Sequence, residues 1–502
     1  MNDIESQMDY SGHTRYLSIA SSWTGRIDGV SDTDMQVIRQ LMKVWKDKYP
    51  RNILRSSYYN AKERLKDFGI SVPDRISGSA KAMIGWPAKA VRSLADLSVF
   101  EGFSLQGMQD TYGIQDLCDD NDLLTAVPQA IVSAYLHSCS FFTVAADPDD
   151  GDRIVCMPRS ADWSSAIWDN MRRRISAAMT IIDADKEGRI TGFNVWLPDR
   201  ILECRLTGKG WKAEALQHDL GRTPVVPFSY DPQLNRPFGH SRINRTIMSL
   251  TDIAFRTVVR MEGTSEFYSA PKLWFLGVEP EAFAKDTWSS LMSAINSISS
   301  DPETGDKPAL QQIQQASMQP HSDMLKTIAM LCASEMSVPV DEMGITLDNP
   351  SSAEAMAAAE RKLTRIADRQ NRMFSKALKD MVSMGVCMRE GIRFNDRPDE
   401  LRSLLPVWAP TQEISTTSRA DAFSKMAGVS PAFAQSEVGW RYAGFSQQDV
   451  ESIMSAVRSQ NAMDVLGQLT KSSQQAMTEE PSGEPSQQAQ TDSNTGSSVG
   501  GG

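Results

Sequence analysis

The sequence predicts an α+β fold, and three observations predict it. Between residues 140 and 217, short apolar runs recur with turn signals between them, at 147–151 (DPDDG), 185–188 (DKEG) and 208–210 (GKG). That is the pattern of an antiparallel meander. On both sides of it, apolar residues fall at three- and four-residue steps, the period of a helix with one buried face. Past residue 338, a loop rich in breakers runs into a helix far longer than the average of about 11–12 residues. A meander inserted among helices makes the class α+β.

The elements follow in order. Residues 1–31 are polar and weakly periodic, an N-terminal arm. Residues 32–66 are helical, with an interruption expected near Pro50. Trp45, Leu54, Tyr58, Tyr59, Leu65 and Phe68 are its expected apolar anchors, and Gly69 and Pro73 end it. A second helix spans 79–97, with Pro87 at a kink or restart, and leads into a strand at 98–103. Asp119, Asp120, Asn121 and Asp122 precede an apolar helix at 123–135. They lack the alternating ligands and the glycine of a calcium loop, so they are expected to complement the helix dipole at its N-terminus.

Strands are expected at 141–146, 154–157, 178–183, 190–196, 201–206 and 211–216. Residues 221–239 read as a strand and a proline-punctuated loop, opening a helix at 241–265. Its apolar stripe is Ile243, Ile247, Leu250, Ile253, Ala254, Val258 and Met261. Arg242, Arg245, Arg256 and Arg260 decorate it. A strand at 270–277, a helix-like stretch at 282–298, a strand at 309–315 and a helix at 323–335 follow. Short helices come after Pro410. Beyond Lys471 the chain is Ser/Gln/Thr/Gly-rich, a composition that buries too little apolar surface to order itself.

The segment 338–378 is the most informative. Pro350 pushes Asn349 towards extended backbone, and Ser351 with Glu354 has the spacing of a capping box. No Gly or Pro intervenes between Ala353 and Gly385. The resulting helix would be on the order of 45 Å long. Arg361, Arg365, Arg369, Arg372, Lys376 and Lys379 form a basic stripe along it. Like charges at four-residue spacing repel. The stripe is therefore a solvated face, a salt-bridged contact with a neighbouring subunit, or a surface turned towards nucleic acid.

Composition narrows the function. A formal net charge of −11 over 502 residues argues against a tight nucleic-acid binder, which shows a basic domain. The six cysteines contain no C-x-x-C pair and are expected to be reduced, buried thiols of an intracellular protein. The N-terminus has no signal-peptide pattern, and no apolar stretch reaches membrane-spanning length. A P-loop is absent, as are metal-ligand spacing among the five histidines and a G-x-S-x-G elbow. No cofactor, metal or catalytic residue is expected. His137, on an apolar helix, is expected to be a satisfied core histidine.

Four segments then point in one direction: YYNAKERLKDFGISVP, GRTPVVPFSYDPQLNRPFGHSRI, RMEGTSEFYSAPKLWFLG and SEMSVPVDEMGITLDNPSSAEAMAAAERKL, in that order across residues 55–385. They resemble the portal (head–tail connector) proteins of tailed bacteriophages, of the siphophage type. The resemblance implies a non-enzymatic ring, usually of twelve subunits, at one capsid vertex. Double-stranded DNA is packaged through it by terminase and later ejected.

It also implies a portal-type architecture. A wing at 32–240 leads to a stem helix at 241–267, a small α/β clip at 268–320 and a second stem helix at 321–337. A tunnel loop at 338–350, a long tunnel-side helix and return at 351–409, an α-helical crown at 410–470 and a tail at 471–502 complete it. Val338, Pro339, Met343, Asp348, Asn349 and Pro350 become tunnel-loop or DNA-facing candidates, with Ser351 and Glu354 as the cap. Arg361, Arg365, Arg369, Arg372 and Lys376 become candidates for an inter-subunit seam. Lys272, Trp274, Phe275 and Lys307 become clip candidates. The implied partners are further copies of the chain, the large terminase subunit, a head–tail adaptor, and major capsid and scaffolding proteins. DNA would pass without sequence specificity, and no membrane is involved. The implied location is the virion, after assembly in the host cytoplasm. The alternatives are another head-completion or virion structural protein, or a soluble α+β enzyme.

Overall fold

The computed structural model describes residues 25–62, 83–105, 110–147, 150–269, 273–276, 295–298, 309–312, 317–344, 353–412, 416–445, 449–450, 452–460 and 463. The chain divides into two units, Met1–Gln412 and Glu413–Gly502.

Two of its sheets form the core of the first unit. Its opening elements are helix α1 (Asp32–Tyr59), helix α2 (Trp86–Ala95), strand β1 (Phe100–Ser104), helix α3 (Ile114–Asp120) and helix α4 (Leu123–His137). Strands β2 (Cys139–Ala146), β3 (Ile154–Ser160), β4 (Ser164–Asp169), β5 (Arg174–Ala184), β6 (Ile190–Trp196), β7 (Arg200–Thr207), β8 (Gly210–Gln217) and β9 (Val225–Ser229) follow. The expected single meander is two sheets. β4 to β8 form a five-stranded antiparallel meander, while β2 lies between β3 and β9 in a separate three-stranded sheet.

Alternation of side chains explains the layers, because successive residues of a strand face opposite sides. On β2, Phe142 and Val144 pack towards α4 and the helix Ala353–Arg389 in one core. Cys139 and Phe141 pack towards Ile175, Ala178, Trp196 and Ile201 of the meander. The other face of the meander, through Met179, Ile181, Phe193, Val195 and Leu202, is covered by Met35, Ile38, Leu41 and Trp45 of α1. Both sheets are thus covered on both faces.

Several local expectations are corrected. Pro50 lies inside α1 and does not interrupt it. Leu54 is exposed and does not anchor the helix, whereas Trp45 and Tyr58 are buried. Pro87 sits in the first turn of α2, where its missing N–H costs no helix bond. Of the acidic cluster, only Asp122 stands at the N-cap position of α4. Asp119 and Asp120 end α3, and Asp122 precedes α4 with φ 44° and no side-chain cap. Asn121 between them is structural: its amide donates to the Leu117 and Ile154 carbonyls, and its oxygen accepts from the Cys156 N–H.

Helix α5 (Arg245–Ser269) starts four residues later than expected. It is followed in sequence by strands β10 (Leu273–Leu276), β11 (Ile295–Ile298) and β12 (Ala309–Gln312), in a three-stranded sheet with β10 central. Residues 295–298, read as helix-like, are therefore strand. Helix α6 (Gln319–Met336) packs against α5.

Helix α7 (Ala353–Arg389) has 37 residues, about 55 Å at 1.5 Å per residue. It does not stop at Gly385. A Cβ there would stand 2.9 Å from Ile154 Cγ2 and 3.4 Å from Leu117 Cδ1, so this glycine lets the helix cross close to β3. The helix ends instead before Gly391, at φ 64°, in the left-handed conformation that favours glycine at this position. Leu363, Ala367, Phe374, Leu378, Met381 and Val382 form its buried stripe. Helix α8 (Asp399–Ser403) and strand β13 (Leu405–Trp408) follow. β13 pairs with β1, an edge the sequence did not reveal.

The second unit has helices α9 (Thr416–Val429), α10 (Pro431–Ala434) and α11 (Glu437–Ala443). Phe423, Phe433, Trp440, Tyr442 and Phe445 hold them together as an aromatic cluster. The six cysteines are buried free thiols, and burial pushes them up, to about 12 for Cys139 and Cys156. No described helix is long and apolar enough to cross a membrane.

Candidate functional site

The chain leaves the sheets at β9, runs through α5, the small sheet and α6, and returns to nearly the same point before entering α7. That return point is the site of interest. Its apolar part is Ala90 of α2, Ile247 of α5, Cys332 and Met336 of α6, and Val338, with Trp86, Leu250 and Met343 packed around it.

Arg242 is the polar centre of this joint. It is 7% exposed. Its Nε donates to the Ala90 carbonyl. Nη1 donates to the Tyr230 hydroxyl at 3.1 Å, and Nη2 to the Met336 carbonyl at 2.7 Å. One guanidinium fork therefore ties α2, the loop after β9 and the C-terminus of α6 to the residues that open α5. The Met336 carbonyl is one of the acceptors a helix end leaves without an intrahelical donor. The neighbouring Ser241 hydroxyl donates to the Leu136 carbonyl at 2.6 Å, and the Arg242 N–H to the Tyr135 carbonyl. Asn244 caps α5 by accepting the Ile247 N–H, and donates to Glu335 Oε1 at 2.6 Å.

Gly239 sets the turn that delivers Arg242. Its φ is +68°, and a Cβ would lie 1.9 Å from the Tyr230 carbonyl oxygen. Glycine alone fits both conditions. The same loop is clamped to the long helix by Gln370, which is buried. Its Nε2 donates to the Ser229 carbonyl at 2.7 Å, and its Oε1 accepts the Asp231 N–H at 3.1 Å.

The tunnel-loop candidates are placed differently from expectation. Val338 and Pro339 are buried, and Met343 is half-buried against the joint. The cause is local. Ser337 takes a left-handed conformation after α6, and the Val338 N–H returns to the Ala333 carbonyl, which folds Val338 inwards. Within one chain these three side chains pack inwards against the joint. Asp348, Asn349, Pro350 and Ser351 lie outside the described residues, as do the side chain of Glu354 and both Lys272 and Lys307. Trp274 and Phe275 fall on β10, opposite Gln311 and Leu310 of β12.

The basic stripe is partly neutralised within its own chain. Arg369 pairs with Asp231 at 3.2 Å, and Lys376 with Asp380 at 3.0 Å. Asp380 also receives Arg222 at 2.9 Å, with both side chains 13% exposed. Burial pushes the Asp380 carboxyl up, but Arg222 and then Lys376 outweigh it and leave it below its ordinary value. Lys379 donates to the Arg402 carbonyl. Arg361, Arg365 and Arg372 are exposed and have no carboxylate partner among the described residues.

His137 is a core histidine, as expected. Its ring nitrogens lie 3.0 Å from the Ser56 hydroxyl and 3.2 Å from that of Ser160, and burial lowers its pKa. Among the described residues no group of three or more His, Cys, Asp or Glu is placed to hold a metal. Sequence reasoning missed Arg242, Tyr230, Gly239 and Gln370. The pattern places Arg242 with the arginines that decorate the helix, although it precedes the Asn244 cap.

What the geometry defines is a structural joint, in which α2, the loop after β9 and the end of α6 converge on one guanidinium at the start of α5, while α7 clamps the loop through Gln370. The chain belongs to the phage portal protein family of the SPP1 Gp6-like type, which matches residues 38–440. It is 28% identical over 416 residues to the portal protein of Mycobacterium phage L5, covering 79% of this chain and 82% of that one. It is 26% identical over 417 residues to the portal protein of Mycobacterium phage D29, covering 79% and 83%. Similar solved structures include the neck of a native GTA particle computed with C12 symmetry (TM-score 0.37, 11% identity, 72% of this chain and 89% of that one). The neck of an empty GTA particle computed with C6 symmetry has TM-score 0.39 and 10% identity over 71% of this chain and 89% of that one.

Proposed function

We propose that this portal-family chain assembles into a ring that serves as the conduit for double-stranded DNA at one capsid vertex. Terminase drives packaging through it, and a head–tail adaptor later joins it to the tail. The observation that carries the proposal is the joint itself, in a chain whose family match covers residues 38–440. In this assignment α5 and α6 are the stem helices, β10–β12 belong to the clip, and residues 338–350 form the tunnel loop. Helix α7 is the tunnel-side helix, and the second unit contributes to the crown.

The charge balance supports a conduit. Each phosphate contact adds affinity and salt dependence, and strong contacts would arrest sliding. A chain of net charge −11 avoids that, and part of its basic helix stripe is occupied by Asp231 and Asp380. The protein acts as a structural component of the virion, with the packaging motor on a separate chain.

Electron microscopy of the purified full-length chain tests this. Closed rings with a central channel are expected. A homogeneous monomer at all concentrations and salt conditions refutes the proposal, and intrinsic ATP hydrolysis would contradict the separation of conduit from motor.

A further inference from the structure

A groove of about 1250 Å³ opens beside the joint, between α1, the loop after β9 and the start of α5. Its volume exceeds the ~300–1,000 Å³ of small-molecule pockets. Its floor is the half-buried Phe238 over the buried Trp45 and Phe141. Its rim carries Lys48, Arg51, Arg236 and Arg245, all exposed.

The charge in this groove is unbalanced. Its two carboxylates are already engaged, Glu335 by the Asn244 amide and Asp231 by Arg369. Two further cations are committed to main-chain oxygens, Arg55 to the His137 carbonyl and Arg242 to those of Ala90 and Met336. The four rim cations have no carboxylate partner among the described residues. Arg245 is also the first residue of α5, which has no acidic residue in its first turn, so the positive end of the helix adds to the same field.

We infer that this groove seats an acidic surface of a second copy of this chain, and so forms one side of the ring seam. The inference rests on the ring proposed above. A cationic rim around an aromatic floor has the composition of a protein interface, enriched in Arg and aromatic residues. A surface that follows the phosphates of duplex DNA makes its contacts to backbone oxygens and has no use for an aromatic floor. The chain supplies the complement. Its net charge is −11, and Asp116, Asp119 and Asp120 lie exposed on α3 without a cation partner among the described residues. A closed ring needs a head-to-tail contact between two different patches, and a cationic groove against an acidic surface is such a pair. This moves the seam from the α7 stripe, where Arg369 and Lys376 are paired at home, to the rim beside the joint.

The test is a charge reversal, Arg51→Glu with Arg245→Glu, in the full-length chain, beside Arg372→Glu on α7 as a control. Ring population is read by native mass spectrometry and negative-stain microscopy at two salt concentrations, and folding by circular dichroism. The seam predicts a folded double variant with ring population reduced at least tenfold, while Arg372→Glu keeps its rings. Unchanged rings in the double variant overturn the seam and leave the ring intact. Rings that persist while the double variant alone loses DNA binding reassign the groove to nucleic acid and also overturn it. A wild-type chain that forms no rings removes the ring and the seam together. Carbodiimide cross-linking of rings mixed from isotopically light and heavy chains gives a readout that does not depend on variant folding. Lys48 must link to a carboxylate of another copy, and links confined to its own chain refute the seam.

Discussion

Replacing Arg242 with alanine removes three hydrogen bonds that hold four segments at one point. The largest loss is at the Met336 carbonyl, which ends α6 and has no intrahelical donor. A bond from a charged donor contributes about 1.5–3 kcal/mol. The contacts to the Ala90 carbonyl and Tyr230 hydroxyl add to this, but bonds sharing one side chain do not sum. The expected cost is ~3–5 kcal/mol, the range for a broken buried polar network. Its location matters more than its size. Opening should concentrate in residues 86–95 and 328–338, and spare the meander β4–β8, whose core lies elsewhere.

Hydrogen exchange read by mass spectrometry resolves this. Since about 1.4 kcal/mol is tenfold in an equilibrium constant, protection at the joint should fall at least a hundredfold under native conditions. Arg242→Lys keeps the charge without the planar fork and should lie between wild type and alanine. Protection unchanged within a factor of about three at the joint, or lost equally over the meander, would refute the role given to this guanidinium.

Three further outcomes are expected. Gly385→Val forces a branched side chain against Ile154 and Leu117 and should destabilise by about 1–3 kcal/mol, measured as a lower urea midpoint; a neutral result would mean the crossing of α7 over β3 has room to spare. Gln370→Leu removes both bonds to the 229–231 loop and should cost ~1–3 kcal/mol, with faster exchange at Asp231; an unchanged Asp231 amide would show that the clamp is not needed. His137 is held below its ordinary pKa of 6.5 by burial, so the unfolded chain binds the proton first as pH falls. Its contribution is complete above about 6.5 and is lost as pH drops through the folded value. Stability should fall between pH 7 and 5, with a shallower slope in His137→Gln, and equal slopes would contradict this.

Elements with a clear period or punctuation were legible in the sequence. The breaker-rich loop and the apolar stripe from Leu363 to Val382 announced α7, and the turn signals at 185–188 and 208–210 marked two of the meander's hairpins. The strand Ser164–Asp169 was missed because SSAIWD has no run of branched residues. The separation of β2 and β3 into their own sheet was invisible, because CSFFTVAA is buried on both faces and carries no polar alternation. Glycine was misread at 385 because a helix-ending glycine and a close-packing glycine look alike without the neighbouring strand. The joint was hidden for a different reason. Arg242 gains its partners from residues 90, 230 and 336, and no local pattern distinguishes a buried arginine bonded to carbonyls from a solvated one. The charge stripe on α7 was legible as a stripe, but its partners Asp231 and Asp380 became known only once the loop and the helix were placed together.

The ring of copies of this chain proposed above puts the α6–α7 side of each copy at the channel. A reconstruction of the assembled particle by electron cryomicroscopy measures this directly. A closed ring is expected, with α7 on the channel side and α1 with its sheet on the outer side. A ring with α7 on its outer wall, or a particle with no channel, would contradict it.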